Sequence, residues 1–313
     1  MSFSYKDLKN DRQWKATVGM SEKDFYILCT AFGKAYEMKH ELSLEQAATN
    51  LTQEFALSSY EECLFFVLFQ LKNGLTQDCL GPVFNMDGSS AWRNFQKHLP
   101  ILELALKQEQ ALPKRHFKSV QEFVKYLHQE KEITLDVTEY AVQRPADKEK
   151  QKHITIVEKK RHTRKSLFVT GKKKRIVYVS SLHSGSCHDY EILKQCFAAQ
   201  DDWFKKFIIR LDLGFQGFAD LYKCKKVFIP VKKKRVKKGC SNELSDQQKQ
   251  MNKEQAQQRV AIEHSIGGMK RYRILCNRLR IKTTELIDTI VGVCAGLWNF
   301  LLNKPNHLIT NLH

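Results

Sequence analysis

Apolar residues recur at helical spacing through the first part of the chain and at strand spacing from about residue 131, so a helical segment precedes an α/β one. "MSEKDFYILCTAFGKAYEM" opens with Ser21 and Asp24 at capping-box spacing and continues with apolar positions three and four apart, predicting a helix. "YEECLFFVLFQLKNG" predicts a second, closed by Asn73-Gly74. In "LTQDCLGPVFNMDGSSAWRNFQKHLPILELAL", Thr76 is placed to cap a short helix and Ser89 or Ser90 a longer one, with a turn at Asn85–Gly88. That order is helix, turn, helix. Gly81-Pro82 falls inside the first of these helices, which predicts a shortened or broken one.

From residue 131 the period changes. "EITLDVTEY" reads as a strand that contains an aspartate, and "KSLFVTGKKKRIVYVSS" as two strands joined by a turn. "HDYEILKQCF" returns to helical spacing, "FKKFIIRLDLGFQG" is a buried strand ending at a glycine turn, and "KVFIPV" is one more strand. A long helix follows from about Ser245 to Tyr272, then a C-terminal apolar one. Strands and helices in this order predict an α/β domain with a mixed sheet. The apolar run "LIDTIVGVCAGLWNFLL" carries an aspartate and suits a buried core helix better than a membrane span.

Charge changes this picture more than overall composition does. The net charge is +18, and residues 141–180 hold 13 Lys/Arg against 3 Asp/Glu. Residues 221–240 hold 9 Lys/Arg and no acid, whereas the first 130 residues are nearly neutral, with 15 basic and 16 acidic. A polyanion is the expected partner, nucleic acid or an acidic membrane surface, bound mainly by the second half. The nine cysteines show no C-x-x-C and no zinc-type Cys/His spacing, as reduced thiols of a cytosolic protein would. "MSFSYKDLKNDRQWK" is polar throughout and does not read as a secretory signal.

Three carboxylates stand out by position. Asp136 follows "ITL" in the first strand, Asp212 ends "FIIRL", and Glu263 lies in the long helix. A carboxylate in a buried strand is unfavourable unless paired or metal-bound. Two strand aspartates that become neighbours, faced by a helical glutamate, would offer a hard all-oxygen site for Mg²⁺ or Mn²⁺. At about 100° per residue, Asn252, Arg259, Glu263 and Lys270 share one helix face. Taken alone, the helix is better explained by a solvated face with a local Arg259–Glu263 pair at i,i+4 spacing; the two strand aspartates and the basic windows favour a ligand instead.

"LDVTEYAVQRP", "HTRKSLFV", "SGSCHDYEIL", "DLGFQG", "IPVKKK" and "LSDQQKQMNKEQAQQRVAIEHSIGGMKRYRIL" occur in the order seen in the DDE transposases of the Harbinger-related branch, the insertion-sequence-five group of bacteria. The resemblance covers about residues 131–302, and "SEKDFYILCTAF" with the helix-turn-helix resembles that family's N-terminal region. It implies a ribonuclease H-like mixed five-stranded sheet with flanking helices, preceded by an all-α domain. Residues 1–128 would be the DNA-binding region with a helix-turn-helix at about 59–107, residues 129–303 the catalytic domain, and 304–313 a tail. Asp136, Asp212 and Glu263 would be the metal-binding triad for two Mg²⁺ or Mn²⁺ ions, with His188, Asp189, Asn252, Arg259 and Lys270 as accessories. The reaction implied is cleavage of DNA at the terminal inverted repeats of a mobile element and joining of its 3′ ends to target DNA.

Base reading is assigned to Ser89, Ser90, Trp92, Arg93 and Lys97. Backbone contacts are assigned to Arg164, Lys165, Lys172, Lys173 and Lys174 of the hairpin and to Lys232, Lys233, Lys234 and Arg235. The expected partners are double-stranded element-end and target DNA and at least one further copy of the chain, with no membrane. The expected location is the cytoplasm and nucleoid of a bacterium, or the nucleus of a eukaryotic host. A catalytically silent DNA-binding descendant and a ribonuclease H-like nuclease are the alternative readings.

Overall fold

The structure is a computed structural model that describes residues 2–49, 56–144, 155–156, 161–171, 173–233 and 243–303. Two compact units divide the chain. One comprises Met1–Pro113, Tyr140–Gln143 and Gly268–His313, the other Lys114–Glu139 and Arg144–Gly267. The contacts divide the chain elsewhere than at 128/129: residues 114–128 group with the sheet, and the C-terminal helix groups with the N-terminal helices.

The helical unit contains α1 (Asp11–Thr17), α2 (Glu22–His40), α3 (Leu44–Thr49), α4 (Tyr60–Asn73), α5 (Gln77–Val83) and α6 (Gly88–Gln108). Ser21 caps α2 by accepting from the Asp24 amide, as its spacing predicted. Gly74 ends α4 in the left-handed region at φ 62°, a conformation that favours glycine. The helix-turn-helix is α5, a turn and α6. Its second helix is capped by Asp87, which accepts from the Ser90 amide at 2.9 Å, and not by Ser89 or Ser90. Helix α5 runs through Pro82 but ends one residue later, at Val83, so of the two expected outcomes it is short and not broken. Gly81 is the residue that the turn requires, since a Cβ there would stand 2.5 Å from the Met86 carbonyl oxygen. Helix α6 also runs through a proline, Pro100, while burying Phe95, Leu99, Ile101, Leu102, Ala105 and Leu106.

The other unit contains α7 (Val120–Tyr126) and a mixed sheet. Its strands are β1 (Glu132–Ala141), β2 (Thr155–Ile156), β3 (Arg161–Gly171), β4 (Ile176–Val179), β5 (His183–Ser184), β6 (Ile208–Arg210) and β7 (Lys226–Phe228). Among the described residues, five strands have three residues or more, and β2 and β5, with two each, extend the pairing of β3. The order is β2-β3-β1-β6-β7, with β4 and β5 also on β3. Strand β6 lies parallel to both β1 and β7, whereas β3 and β4 form the antiparallel hairpin read from the sequence. Helices α8 (Asp189–Cys196), α9 (Phe218–Leu221) and α10 (Asp246–Lys270) complete the set, α10 ending within the helical unit. The mixed sheet with its helices is consistent with a ribonuclease H-like fold.

A core of Phe123, Ile133, Leu135, Leu167, Ile192, Phe197, Phe204, Ile209, Leu211 and Phe218 sits against this sheet. The inner stripe of α10 includes Ile262 and Ser265, both fully buried. Helix α11 (Thr284–Leu302) has the length and apolarity of a membrane span, yet it packs on α6 and buries Ile290, Val293, Cys294 and Leu297. Its buried Asn299 donates to the Ala111 carbonyl at 2.9 Å, so even its polar core group has a partner.

Candidate active site

Strand register brings the first two carboxylates together. β1 and β6 pair in parallel with Glu132 beside Ile208, Ile133 beside Ile209 and Thr134 beside Arg210. The same offset, continued two residues past the last pair, matches Asp136 with Asp212. Leu135 and Leu211, each one position before its aspartate, are fully buried in the core. Side chains alternate along a strand, so the two aspartates turn to the opposite side from these leucines.

Each aspartate caps the backbone that follows it. Asp136 Oδ1 accepts from the Val137 amide at 2.8 Å, and Asp212 Oδ1 from the Leu213 amide at 2.7 Å. Burial, and then the nearby carboxylates Asp212 and Asp189, push the Asp136 carboxyl up to about 6, against the pull of the Val137 amide and Arg259. This carboxylate is therefore short of positive charge. A hard divalent cation supplies such charge, and the oxygen donors of Asp136 and Asp212 fit it.

The long helix contributes Arg259, whose Nη1 donates to Asp212 Oδ1 at 2.9 Å. Its side chain is only 12% exposed, and its Nε is buried without a hydrogen-bond partner. The helical spacing had suggested a local pair with Glu263; Arg259 reaches instead to the strand aspartate. Glu263 is exposed, one helical turn and about 6 Å along the axis from Arg259. Among the described residues, no three His, Cys, Asp or Glu side chains converge closely enough to hold a metal. The structure thus brings Asp136 and Asp212 together and leaves Glu263 on the adjoining helix face.

The accessory residues separate into distinct surroundings. Asn252 exchanges two hydrogen bonds with the backbone of Val231, accepting from its amide at 2.8 Å and donating to its carbonyl at 3.1 Å. That contact fastens the segment after β7 to α10. Asp189 opens α8, and its Oδ1 lies 2.9 Å from Lys165 Nζ. Its other oxygen is 3.2 Å from where a Cβ on Gly214 would be, which places Asp189 against the turn that follows Asp212. His188 is the exposed N-cap of α8, and its side chain makes no capping hydrogen bond. Lys270 lies 5.7 Å from the Tyr140 ring centroid in the helical unit.

Lys165 was read from the sequence as a contact to the DNA backbone. In the structure its ammonium is held inside by Asp189, by the Cys187 carbonyl at 3.0 Å and by Glu139 at 3.7 Å. An ammonium with three oxygen partners and 13% exposure is a bracket for Asp189 before it is a phosphate contact. Arg164 is half-buried, and burial lowers its pKa. Lys173, Lys232 and Lys233 are exposed, while Lys172, Lys234 and Arg235 lie outside the described residues, as does the tail 304–313. Lys174 meets the long helix: its Nζ is 3.1 Å from His264 Nδ1, and its carbonyl accepts from the Ser265 hydroxyl at 2.7 Å. The hairpin turn therefore docks on the two residues that follow Glu263, a contact that spacing along the chain does not reveal.

On the helix-turn-helix, Ser89, Arg93 and Lys97 are exposed. Ser90 is tied to Asp87 at 2.6 Å and accepts from Arg93 Nη2 at 2.9 Å. Trp92 is half-buried and stacks on Phe95, with ring centroids 6.1 Å apart.

Comparisons with known proteins fit this arrangement. Residues 135–299 match the family model of the DDE superfamily endonuclease, and residues 56–108 that of the helix-turn-helix of DDE superfamily endonuclease. A curated relative from Microchaete diplosiphon, described as a probable transposase for insertion sequence element IS702, is 28% identical over 181 residues. That alignment covers 58% of this chain and 61% of the relative, less than two thirds of its length. No solved structure matches the chain.

Proposed function

The chain belongs to the DDE superfamily of endonucleases, and from that premise we propose that it is a transposase. It would cut DNA at the terminal inverted repeats of a mobile element and join the released 3′ ends to target DNA. The observation that carries this reading is the register match of Asp136 with Asp212, with Arg259 of α10 seated on the same aspartate.

In this reading Asp136, Asp212 and Glu263 would hold two Mg²⁺ or Mn²⁺ ions. The chemistry that the bound metal supplies is activation of a water or 3′-hydroxyl and stabilisation of the leaving oxygen of the phosphodiester. Asp136 presents its carboxylate oxygens from within β1, and Asp212 from just past the end of the adjacent β6. Glu263 joins them by a side-chain movement from its exposed position, and the Lys174 contacts to His264 and Ser265 fix the helix from which it moves. Arg259 keeps Asp212 oriented and neutralised until positive charge arrives from elsewhere. Asp189, bracketed by Lys165, adds a fourth negative charge to the cluster. Asn252 holds the segment that leads to Lys232 and Lys233, which contact phosphates together with Lys173. The exposed face of α6, Ser89, Trp92, Arg93 and Lys97, reads the element end as a recognition helix does. Pairing of two element ends calls for at least a dimer on the DNA, and the protein works where that DNA is.

A second reading, a DNA-binding descendant that no longer cuts, is favoured by one observation: the pairing of Arg259 with Asp212 while Glu263 is turned to solvent. The test is cleavage of a duplex taken from the border of the coding region, with and without Mg²⁺. Metal-dependent nicking at the border supports the transposase. Tight binding of that duplex without nicking in any divalent metal supports the silent binder.

A further inference from the structure

The helical unit carries a groove between segments far apart in sequence. Its volume is about 420 Å³, and one wall is the helix-turn-helix, through Gln77 and Asp78 of α5 and Trp92 of α6. The opposite wall is the segment after α10, through Asn277, Arg278 and Arg280. The two walls are nearly two hundred residues apart in sequence and belong to the same unit.

This second wall is anchored. Gly74, the left-handed cap of α4, lets the segment come close: a Cβ at residue 74 would stand 2.9 Å from the backbone of Ile274. Asn277 Nδ2 donates to the Gly74 carbonyl at 3.2 Å, and Lys72 Nζ to the Arg271 carbonyl at 3.1 Å. Leu279 bridges to Val142; its amide donates to Ala141 at 2.9 Å, and its carbonyl accepts from Gln143 at 3.0 Å. The Leu279 side chain is 2% exposed. In extended backbone the neighbours of a buried residue face the other way, and both Arg278 and Arg280 are exposed.

Charge identifies the occupant. Residues 273–282 contain Arg273, Arg278, Arg280 and Lys282 and no acid. None of these four forms a salt bridge with a carboxylate among the described residues. Exposed guanidinium groups fixed on a rigid backbone and without a carboxylate are suited to phosphate oxygens. Across the groove stands Trp92, near the N-terminal end of α6, the end from which a recognition helix contacts its duplex. We propose that Arg278 and Arg280 form a second DNA-binding element that grips the phosphodiester backbone of a duplex beside α6, so that end recognition is shared by the helix-turn-helix and this arm. The proposal rests on the DNA-binding part of the function given above.

The experiment measures Kd of the full chain for a fluorescent duplex from the border of the coding region, over a series of KCl concentrations. The Arg278→Ala/Arg280→Ala double variant is expected to bind at least tenfold more weakly at low salt. Its slope of log K against log[salt] is expected to be shallower by about 1.8, or about 0.9 for each single variant. Arg278→Lys/Arg280→Lys should keep the parental slope, and the single variants serve if the double variant does not fold. A parent that binds the duplex while the alanine variants match it in affinity and slope overturns the arm alone. A parent that binds no duplex overturns the DNA-binding reading and the arm with it. Displacement of the duplex from the parent by a deoxynucleoside monophosphate at millimolar concentration would also overturn the arm, since it would mark a small-ligand pocket.

Discussion

Arg259 Nη1 lies 2.9 Å from Asp212 Oδ1, and through this pair the long helix is joined to the strand end that carries the second aspartate. The guanidinium compensates Asp212 directly, in a cluster that also contains Asp136 and the Asp189 held by Lys165. It lowers the Asp136 carboxyl, although burial prevails and leaves it at about 6. Arg259→Gln should therefore raise the Asp136 value further, because burial and the neighbouring carboxylates then act against a weaker counterweight. Carboxyl chemical shifts followed through a pH titration of the parent and the variant measure this. A lower Asp136 value in the variant would contradict the assignment of the pair.

Asp136 also links pH to stability. Its folded value, about 6, stands above the ordinary 3.8, so between those values the folded chain binds more protons than the unfolded one. The stability associated with protonating this group is fully present below about pH 4 and is lost as pH rises through 6. Asp136→Asn removes the charge and should stabilise the metal-free protein near pH 7 by about 1–3 kcal/mol, a rise of several degrees in Tm. The gain should vanish near pH 4. Thermal melts at the two pH values in the presence of a chelator test this, and an equal shift at both would contradict it.

Asn252 is expected to matter for local order more than for metal binding. Its two hydrogen bonds to Val231 satisfy both groups of that peptide position at once. Asn252→Ala should cost about 1–2 kcal/mol and speed hydrogen exchange of the Val231 amide. Asn252→Asp keeps the acceptor but loses the donor and should fall between the two. Unchanged exchange at Val231 in the alanine variant would refute the pairing.

Gly74→Ala tests the packing of the arm against α4. At φ 62°, with 2.9 Å to the backbone of Ile274, a methyl group has neither the conformation nor the space. A loss of about 1–3 kcal/mol is expected by denaturant unfolding, together with weaker duplex binding if the arm is displaced. Full retention of stability would mean that the close approach is absent.

Much of the fold was readable where local chemistry and global fold agree. Ser21 and Gly74 cap the helices that their positions announced, and the β3–β4 hairpin follows from two β-rich runs around a turn. Asp136 and Asp212 stood out because each interrupts an apolar run, and parallel register then aligns them. Long-range contacts were not readable. Nothing in the spacing of α10 distinguishes a bond from Arg259 to Glu263 from one to Asp212, and only the packing of helix on sheet decides it. Lys165 counted as one more charge in a basic window, whereas two oxygens of the Cys187–Asp189 segment and one of Glu139 hold it inside. Helix α11 followed the strands in sequence and so was placed with them, although its apolar side meets α6. The 273–282 arm had a signal, four cations without an acid, but it lies outside the two basic windows, 141–180 and 221–240, and the helix-turn-helix that it faces is far from it in sequence.

The claim that Asp136, Asp212 and Glu263 act as one metal site is tested most directly at its most exposed member. The initial rate of Mg²⁺-dependent cleavage of a coding-region border duplex should fall in Glu263→Gln to the rate seen without metal, as in Asp136→Asn, while duplex affinity stays at the parental value. A Glu263→Gln variant that cleaves as fast as the parent would contradict the account.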